Sequence, residues 1–203
     1  MDGVFDDIGG ALLALGPLDI EVIWHMGFSL IKPSIENLPA YAAAVRRGWS
    51  WVGQEQLDEL GRDPTAFIAQ LENPQGIRTL TLPDGSSVPR LPSLQRWLWD
   101  GEFCGLVDFR WQRGTPALPP TCLGHVGFAV VPWKQNRGYA KQALALLLPD
   151  IRAQGLPYIE LTAVPENVAS QRVILSNGGE LIERFTKTSA NGGGESLRFR
   201  ITL

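Results

Sequence analysis

Two titratable side chains on neighbouring predicted strands are suited to acid–base chemistry. Asp108 lies near the end of one strand and His125 opens the next. A histidine titrates near working pH, and a carboxylate can hold an ammonium group or relay a proton, so both are candidate catalytic residues. Each also has a simpler interpretation, a histidine hydrogen-bonded inside the sheet and a solvated carboxylate on a strand face. The sequence leaves both interpretations open.

A basic, glycine-containing segment, KQNRGYAK (134–141), follows the second of these strands and leads directly into a helix. We call it the basic corner. A short strand-to-helix connection leaves N–H groups of the first helical turn unpaired, and with the helix dipole these groups suit phosphate. Gly138 lacks a Cβ, so a ligand can approach the backbone. Lys134, Arg137 and Lys141 add positive charge. The corner predicts a phosphate site, with an ordinary solvated connection as the alternative.

Several other chemistries are disfavoured by what the 203 residues contain. Neither G-x-x-x-x-G-K-[ST] nor G-x-G-x-x-G occurs, so the two common phosphate-loop motifs are absent. The only cysteines, Cys104 and Cys122, have no C-x-x-C spacing and only two histidines accompany them, which predicts buried apolar thiols and no metal site. A net charge of −3 disfavours nucleic-acid binding.

Hydrophobic periodicity predicts the elements that position these residues. The helix after the basic corner has a continuous apolar stripe at i, i+3, i+4, i+7, i+8 and i+11 from Ala140 to Ile151. The final strand alternates strictly, with Leu197, Phe199 and Ile201 on one face. From residue 124 the predicted order is strand (125–131), helix (137–153), strand (157–163), helix (167–177), strand (180–186) and strand (196–203).

The upstream half is predicted from turn and capping signals. Asp100-Gly101 between two extended runs predicts a hairpin. A strand ends at Pro33, and Ser34 is positioned to cap a helix with Ile35 on its apolar face. Pro64 should open a separate helix. Residues 1–26 read as an N-terminal extension of the domain 27–203, and no signal peptide or membrane span is predicted.

The tryptophans suggest a further site, on the side where a second substrate could bind. Trp97, Trp99 and Trp111 lie on or beside the predicted hairpin, and Trp49 and Trp51 follow the first helix. An aromatic pocket is one interpretation. Core packing is expected for most of them.

The segment VVPWKQNRGYAKQALALL resembles the cofactor motif of the GNAT N-acetyltransferase superfamily, a strand ending V-x-P, then [RQ]-x-x-G-x-[GA], then a long helix. ENVASQRVILSNGGE is similar to the motif that follows it in that family, an Asn-started helix ending in Gly. The resemblance covers about residues 90–203 well. Within the family, the sequence is similar to a bacterial subgroup of predicted acetyltransferases. One departure is Asn136, where the family often has Gly.

The resemblance implies an α+β (α/β) fold, the GNAT acyl-CoA N-acyltransferase fold, with a mixed central sheet of about six to seven strands flanked by helices and splayed central strands. It also implies binding of acetyl-CoA, a co-substrate, with no metal. The pyrophosphate would lie on the amides from Gln135 to Ala140, and the pantetheine would run along the strand and beside the second helix. The implied cofactor residues are Phe128, Val130, Gln135, Asn136, Arg137, Gly138, Tyr139, Ala140, Asn167 and Ser170.

The resemblance further implies direct transfer of an acetyl group to a primary amine of a small molecule or peptide. The family often places a Glu or His base on the strand of His125, the first catalytic candidate, and Asp108 stays the second candidate on its own chemistry. Many family members have a tyrosine acid in the last helix, and Ile174 stands at that position. A catalytically weak CoA-binding sensor or interaction module is therefore the alternative, and aminoacyl transfer from tRNA is disfavoured by the acidic charge. We expect a cytoplasmic, bacterial protein that binds neither nucleic acid nor membrane, and a homodimer is compatible with the sequence.

Overall fold

The structure is a computed structural model that describes residues 27–76, 78–81 and 87–203. The predicted extension, residues 1–26, lies outside the described residues. No helix in the described part of the chain is long and apolar enough to cross a membrane.

A four-stranded antiparallel sheet forms the first half of the domain, in the order β1-β4-β5-β6. Its hairpin of β4 and β5 turns at Asp100-Gly101, as predicted, and Gly101 has φ of +99°. The sheet contains β1 (Ser29–Ile31), β4 (Ser93–Trp99), β5 (Phe103–Arg110) and β6 (Val126–Val130). A small separate hairpin joins β2 (Thr79–Thr81) to β3 (Ser87–Pro89).

A glycine allows β5 to approach β6 closely beside the turn. Gly105 has φ of +143°, and a Cβ at this position would lie 2.1 Å from Ala129 O. Side chains rarely adopt this backbone conformation, and the space is filled by backbone. Gly105 therefore sets the path of β6 at the strand's carboxyl end.

The second sheet contains three antiparallel strands in the order β7-β9-β8. The strands are β7 (Tyr158–Ala163), β8 (Glu180–Thr186) and β9 (Glu195–Thr202), all within two residues of their predicted limits. The predicted alternation of β9 is confirmed, because Leu197, Phe199 and Ile201 are buried. Arg198 and Arg200, on its other face, both bind Glu160 on β7.

Two helices connect the later strands. Helix α4 (Tyr139–Arg152) joins β6 to β7, a crossover typical of parallel neighbours, and α5 (Val168–Leu175) joins β7 to β8. The stripe on α4 is buried at Ala143, Leu144, Leu147 and Ile151 in the larger core, which both sheets share.

Three short helices cover the opposite face of the first sheet. They are α1 (Leu38–Arg46), α2 (Gln54–Arg62) and α3 (Pro64–Gln70), and Pro64 opens its own helix as predicted. The expected apolar face of α1 was wrong at Ile35, which precedes the helix and is 49% exposed, whereas Tyr41 is fully buried. Ser34 is not the cap, because its Oγ accepts a bond from the N–H of Asn37, the residue that precedes α1.

Candidate functional site

A cleft of about 620 Å³ lies between the end of β6, the basic corner and the first turns of α5. Its volume is in the range of small-molecule sites. We call it the corner cleft. All the predicted cofactor residues except Arg137 line it: Phe128, Val130, Gln135, Asn136, Gly138, Tyr139, Ala140, Asn167 and Ser170.

The backbone of the basic corner presents unpaired amides to this cleft. Asn136 and Gly138 have positive φ values of +61° and +77°. The first backbone bond of α4 runs from Gln142 N–H to Gly138 O, 3.0 Å, and Gly138 provides no side-chain cap, so the N–H groups of residues 139–141 have no partner in the helix. A Cβ on Gly138 would meet nothing closer than 3.7 Å. The corner thus combines open space with donors that suit an anion.

A carboxylate on the β4–β5 turn fixes the corner from behind. Both oxygens of Asp100 lie 3.0 Å from Lys134 Nζ, and Tyr139 O–H donates to Asp100 Oδ2 at 2.6 Å. Burial alone would raise the pKa of Asp100, but the bonds from Tyr139 and Lys134 outweigh it and lower that pKa to about 2. Lys134 also pairs with Glu102, so the two carboxylates together largely neutralise the charge of Lys134. We call Asp100, Lys134 and Tyr139 the Asp100 cluster.

Sequence reasoning missed Asp100, because the Asp-Gly pair indicates a turn and carries no sign of its partners 34 and 39 residues later. The cluster also defines the role of Tyr139, whose ring stacks on Phe28 at 4.7 Å between centroids. Tyr139 therefore packs and anchors the corner.

The free edge of β6 forms one wall of the cleft. The backbone N–H of Val131 donates to Cys104 O at 2.9 Å. Every second residue here, namely Gly127, Ala129 and Val131, therefore directs its backbone groups towards β5. In an antiparallel pair the alternate residues, Phe128 and Val130, direct theirs the other way. Because β6 is the edge strand of its sheet, an extended ligand can pair with these groups once it displaces the Gln135 side chain, whose Nε2 donates to Val130 O at 3.2 Å.

The start of α5 forms the opposite wall. Asn167 caps this helix as predicted, its Oδ1 accepting a bond from Ser170 N–H at 3.0 Å. This cap brings Asn167 and Ser170 to the cleft. Ile174, one turn further on, is only 1% exposed and packs in the core.

The two sheets meet at a junction formed by His125 and Glu160. The backbone N–H of His125 donates to the backbone carbonyl of Glu160 at 2.7 Å. The backbone N–H of Glu160 donates in return to the ring Nδ1 of His125 at 2.9 Å. Since Nδ1 accepts, Nε2 carries the proton and donates to Pro116 O at 3.1 Å. The side chain is almost fully buried, and burial lowers the pKa of His125. The imidazole is neutral and holds the sheets together where β6 begins.

A second cavity, of about 540 Å³, lies on the α2 side of the first sheet. We call it the arginine cavity, and its described lining residues are Trp51, Val88, Pro89, Arg90, Leu91, Ser93, Asp108, Arg110, Pro119, Thr121, Cys122, Leu123 and Asn191. Asp108 lies directly across from Gly127 in the ladder, one residue before the cleft wall at Phe128. β6 therefore lies next to Asp108 in the arginine cavity and also forms the wall of the corner cleft.

Asp108 has two differently placed carboxylate oxygens. Oδ2 accepts a hydrogen bond from Arg110, whereas Oδ1 is buried without a partner. A Cβ on Gly127 would lie 2.6 Å from Oδ1, so only glycine leaves space there. Burial raises the pKa of Asp108, although Arg110 and Arg90 act in the opposite direction. A carboxyl group with a raised pKa and a free oxygen can accept a proton from a ligand.

The sequence of this region matches the family model described as "Acetyltransferase (GNAT) domain" over residues 90–180. This segment runs from Arg90 to the start of β8 and includes both walls of the corner cleft. Over these residues the chain is similar to GNAT acetyltransferase domains. A search of curated proteins found no significant match.

Solved structures share the GNAT fold over nearly the whole chain. The microcin C7 self-immunity acetyltransferase MccE, in complex with acetyl-CoA and AMP, is similar with a TM-score of 0.62 and 12% identity, covering 89% of this chain and 94% of its own. RimL, a ribosomal L7/L12 α-N-protein acetyltransferase in complex with coenzyme A, is similar with a TM-score of 0.57 and 13% identity, covering 88% of this chain and 95% of its own. A putative ribosomal-protein-serine acetyltransferase from Vibrio cholerae is similar with a TM-score of 0.55 and 16% identity, covering 88% of this chain and 95% of its own. The predicted fold is confirmed.

The structure places the two predicted catalytic residues differently. Asp108 lines the arginine cavity, whereas His125 lines neither cavity. Asn136, the departure from the family pattern, has a left-handed backbone that asparagine tolerates better than most residues, which explains why it can replace glycine. Of the tryptophans, Trp97 is fully buried, while Trp51 is 42% exposed on the arginine cavity. Among the described residues, no three His, Cys, Asp or Glu side chains are grouped to bind a metal.

Proposed function

We propose that this protein is an acetyl-CoA-dependent N-acetyltransferase that transfers the acetyl group directly to a primary amine of a small molecule or peptide. The observation that carries the proposal is the row of unpaired amides of residues 139–141 at the mouth of a 620 Å³ cleft, within a GNAT acetyltransferase domain. The similar structures of MccE with acetyl-CoA and RimL with coenzyme A support the donor. RimL is an α-N-protein acetyltransferase, which supports peptide amines among the candidates.

The chain's residues would bind the donor in three parts. The pyrophosphate would accept hydrogen bonds from the amides of the basic corner, with Gly138 leaving room for its oxygens. The pantetheine would pair with the outward backbone groups of Phe128 and Val130 on the edge of β6, where it would displace the Gln135 side chain that donates to Val130 O at 3.2 Å. Asn167 and Ser170 would contact the arm from the other wall. The thioester supplies an activated acetyl carbon.

Asp108 is the residue that we assign to the amine. The transfer forms a bond between the amine nitrogen and the acetyl carbon and breaks the carbon–sulfur bond, while nitrogen loses a proton and sulfur gains one. An alkyl ammonium must lose a proton before it can attack. The free Oδ1 of Asp108 can hold the ammonium and accept that proton, directly or through water, beside the wall at Phe128.

The catalytic role of His125 stays a prediction, and its setting favours Asp108 instead. Both ring nitrogens of His125 are occupied by protein partners, and burial lowers its pKa, so the ring has no free acceptor for a substrate proton. We propose that His125 positions β6 by joining the sheets. The cytoplasmic location, the absence of nucleic-acid and membrane partners, and a homodimer likewise stay predictions.

The weak-catalyst alternative has one observation in its favour. Ile174 is buried in the core at the position of the family's tyrosine acid, and Tyr139 already donates to Asp100, so neither supplies a proton to the leaving sulfur. Water would then protonate the thiolate.

Thiol release from acetyl-CoA over a panel of primary amines tests the proposal. We expect at least one amine to raise release well above hydrolysis, with binding of CoA at micromolar concentrations by calorimetry. CoA binding with no amine-dependent release would support the binding module instead. Absence of CoA binding would reject both.

A further inference from the structure

The charges of the arginine cavity are unbalanced. Among its described lining residues only Arg90, Arg110 and Asp108 are charged, so two guanidinium groups face one carboxyl. Burial raises the pKa of that carboxyl, which reduces its power to neutralise them. A cavity with excess positive charge and restricted access to water favours an anionic ligand.

Arg90 is the guanidinium with unused hydrogen-bonding capacity. Its Nη1 donates to Gln70 O at 3.0 Å, and it forms no ion pair with a carboxylate of the described residues. A guanidinium has five N–H donors in a fixed fork, which matches a carboxylate or a phosphate. Burial, followed by the charges of Arg78 and Arg110, lowers the pKa of Arg90, so a bound anion would relieve this repulsion.

Ser93 gives an independent indication of a ligand. It is only 7% exposed, it lines the same cavity, and its buried Oγ has no hydrogen-bond partner. It lies directly across from Arg110 in the β4–β5 ladder. Buried hydroxyl groups in native proteins are nearly always bonded, so this one indicates a missing partner.

Trp51 adds a flat apolar wall beside these polar groups. It is 42% exposed, and its Cζ2 lies 3.1 Å from the position of a Cβ on Gly127, so the indole reaches β6. The ligand space therefore extends from Arg90 towards Asp108 and β6.

We propose that the acceptor amine carries an oxyanion, a carboxylate or a phosphate, which is bound by Arg90 and Arg110 with Ser93 while the amine faces Asp108. The proposal rests on the proposed function, because it names the substrate class of the same site. Arg90 acts as a specificity residue: it contacts the substrate at a distance from the reacting nitrogen. Arg110 both holds the oxyanion and orients Asp108.

Matched pairs of amines test this substrate class. Phosphoethanolamine would be compared with ethanolamine, and β-alanine with β-alaninamide, by thiol release from acetyl-CoA. We expect the charged member of at least one pair to have a kcat/KM at least tenfold higher, chiefly through KM, and the pair that responds distinguishes phosphate from carboxylate. Equal or better transfer to both neutral members would overturn the proposal.

Arg90→Gln is the decisive variant and Arg152→Gln its matched control. Arg152 lies exposed on α4 away from the cavity, so this control removes the same charge. Arg90→Gln should reduce the preference to about twofold or less with unchanged CoA affinity, whereas Arg152→Gln should retain it. Arg90→Lys keeps the charge and should retain part of the preference. It is the milder change if Arg90→Gln fails to fold. A preference that survives both substitutions of Arg90 contradicts the assignment.

A binding measurement separates this inference from the proposed function. The protein is first saturated with CoA, and inorganic phosphate or acetate is then added at constant ionic strength. The added anion should raise the melting midpoint of the wild type by about 3 °C. It should raise the midpoint of Arg152→Gln equally and leave that of Arg90→Gln unchanged. If no amine is acetylated, an Arg90-dependent shift still supports the anion site. A shift that is absent, or equal in Arg90→Gln, overturns it.

Discussion

Asp108 and His125 show how burial affects two titratable groups differently. Both are shielded from water, but His125 has protein partners on both nitrogens, whereas Asp108 keeps one oxygen without a partner. A satisfied buried group stabilises structure, and an unsatisfied one indicates a ligand or a chemical role. At the residue scale the structure therefore favours the carboxyl group as the one that serves the reaction.

Asp108→Asn tests this role. The amide keeps the shape but cannot accept the proton, so kcat/KM for the best amine should fall by about 10²- to 10⁴-fold with unchanged CoA affinity. The base form exists above the raised pKa of Asp108, so wild-type activity should fall with decreasing pH above the ordinary carboxyl range. The variant should lose this acid limb.

Asp150→Asn is the matched control, since Asp150 is exposed on α4. It should retain the wild-type rate and pH profile. A rate for Asp108→Asn within threefold of wild type, with the acid limb intact, would exclude Asp108 as the base.

At the element scale, two contacts between distant segments shape the corner cleft. The Asp100 cluster ties the β4–β5 turn to the basic corner, and the junction of His125 and Glu160 ties β6 to β7. Neither contact includes a group that we assign to the donor's reacting end. Both determine where the cleft's walls lie, so both should affect binding indirectly.

Asp100→Asn should loosen the basic corner. The loss of charge weakens the bonds to Lys134 and Tyr139, so CoA affinity should fall about tenfold by calorimetry. Glu102→Gln is the control, because the Glu102 side chain is 74% exposed and its ion pair with Lys134 lies at the edge of the cluster. The CoA affinity of this variant should stay near that of the wild type. Equal affinities in all three proteins would show that the cluster does not position the corner.

Acid unfolding gives the same residue a second test. The pKa of Asp100 is about 2 in the folded protein, below its ordinary value near 3.9, so its ionised form contributes stability above about pH 4. That contribution is lost as the pH falls from about 4 towards 2. Urea unfolding midpoints over this range should decrease less in Asp100→Asn than in the wild type, and identical slopes would contradict the assigned cluster.

His125→Gln tests the junction. The folded-state pKa of His125 is lowered, so the neutral ring contributes stability above about pH 6.5 that is lost as the pH falls through the folded-state value. Unfolding midpoints at pH 7.5 and 5.5 should differ more for the wild type than for the variant. The acid limb of the activity profile should survive in His125→Gln, whereas its disappearance would restore His125 as the base.

At the scale of the whole molecule, local patterns predicted the elements and long-range contacts remained hidden. The stripe on α4, the alternation in β9 and the Asn167 cap depend on neighbouring residues, so sequence alone was sufficient. Ile35 was misplaced because α1 begins only at Leu38, and Tyr41, packed against Trp97, is the helix residue that is fully buried. Asp100 and Arg90 acquire their roles only when segments distant in sequence meet.

Donor binding should depend most on the basic corner, where we place the pyrophosphate. Gly138→Asp places bulk and negative charge where the phosphate oxygens should lie. Gly155→Asp is the matched control, since Gly155 also has a left-handed backbone, with φ of +73°, and has nothing within 4 Å of a built Cβ. Both substitutions impose comparable backbone strain, so a difference between them reports the ligand.

Calorimetric titration with CoA of the wild type and these two variants is the most direct measurement. We expect one CoA bound per chain at micromolar concentrations by the wild type and by Gly155→Asp, and at least a hundredfold weaker binding by a folded Gly138→Asp. Undiminished affinity in Gly138→Asp would contradict the placement of the donor on this corner.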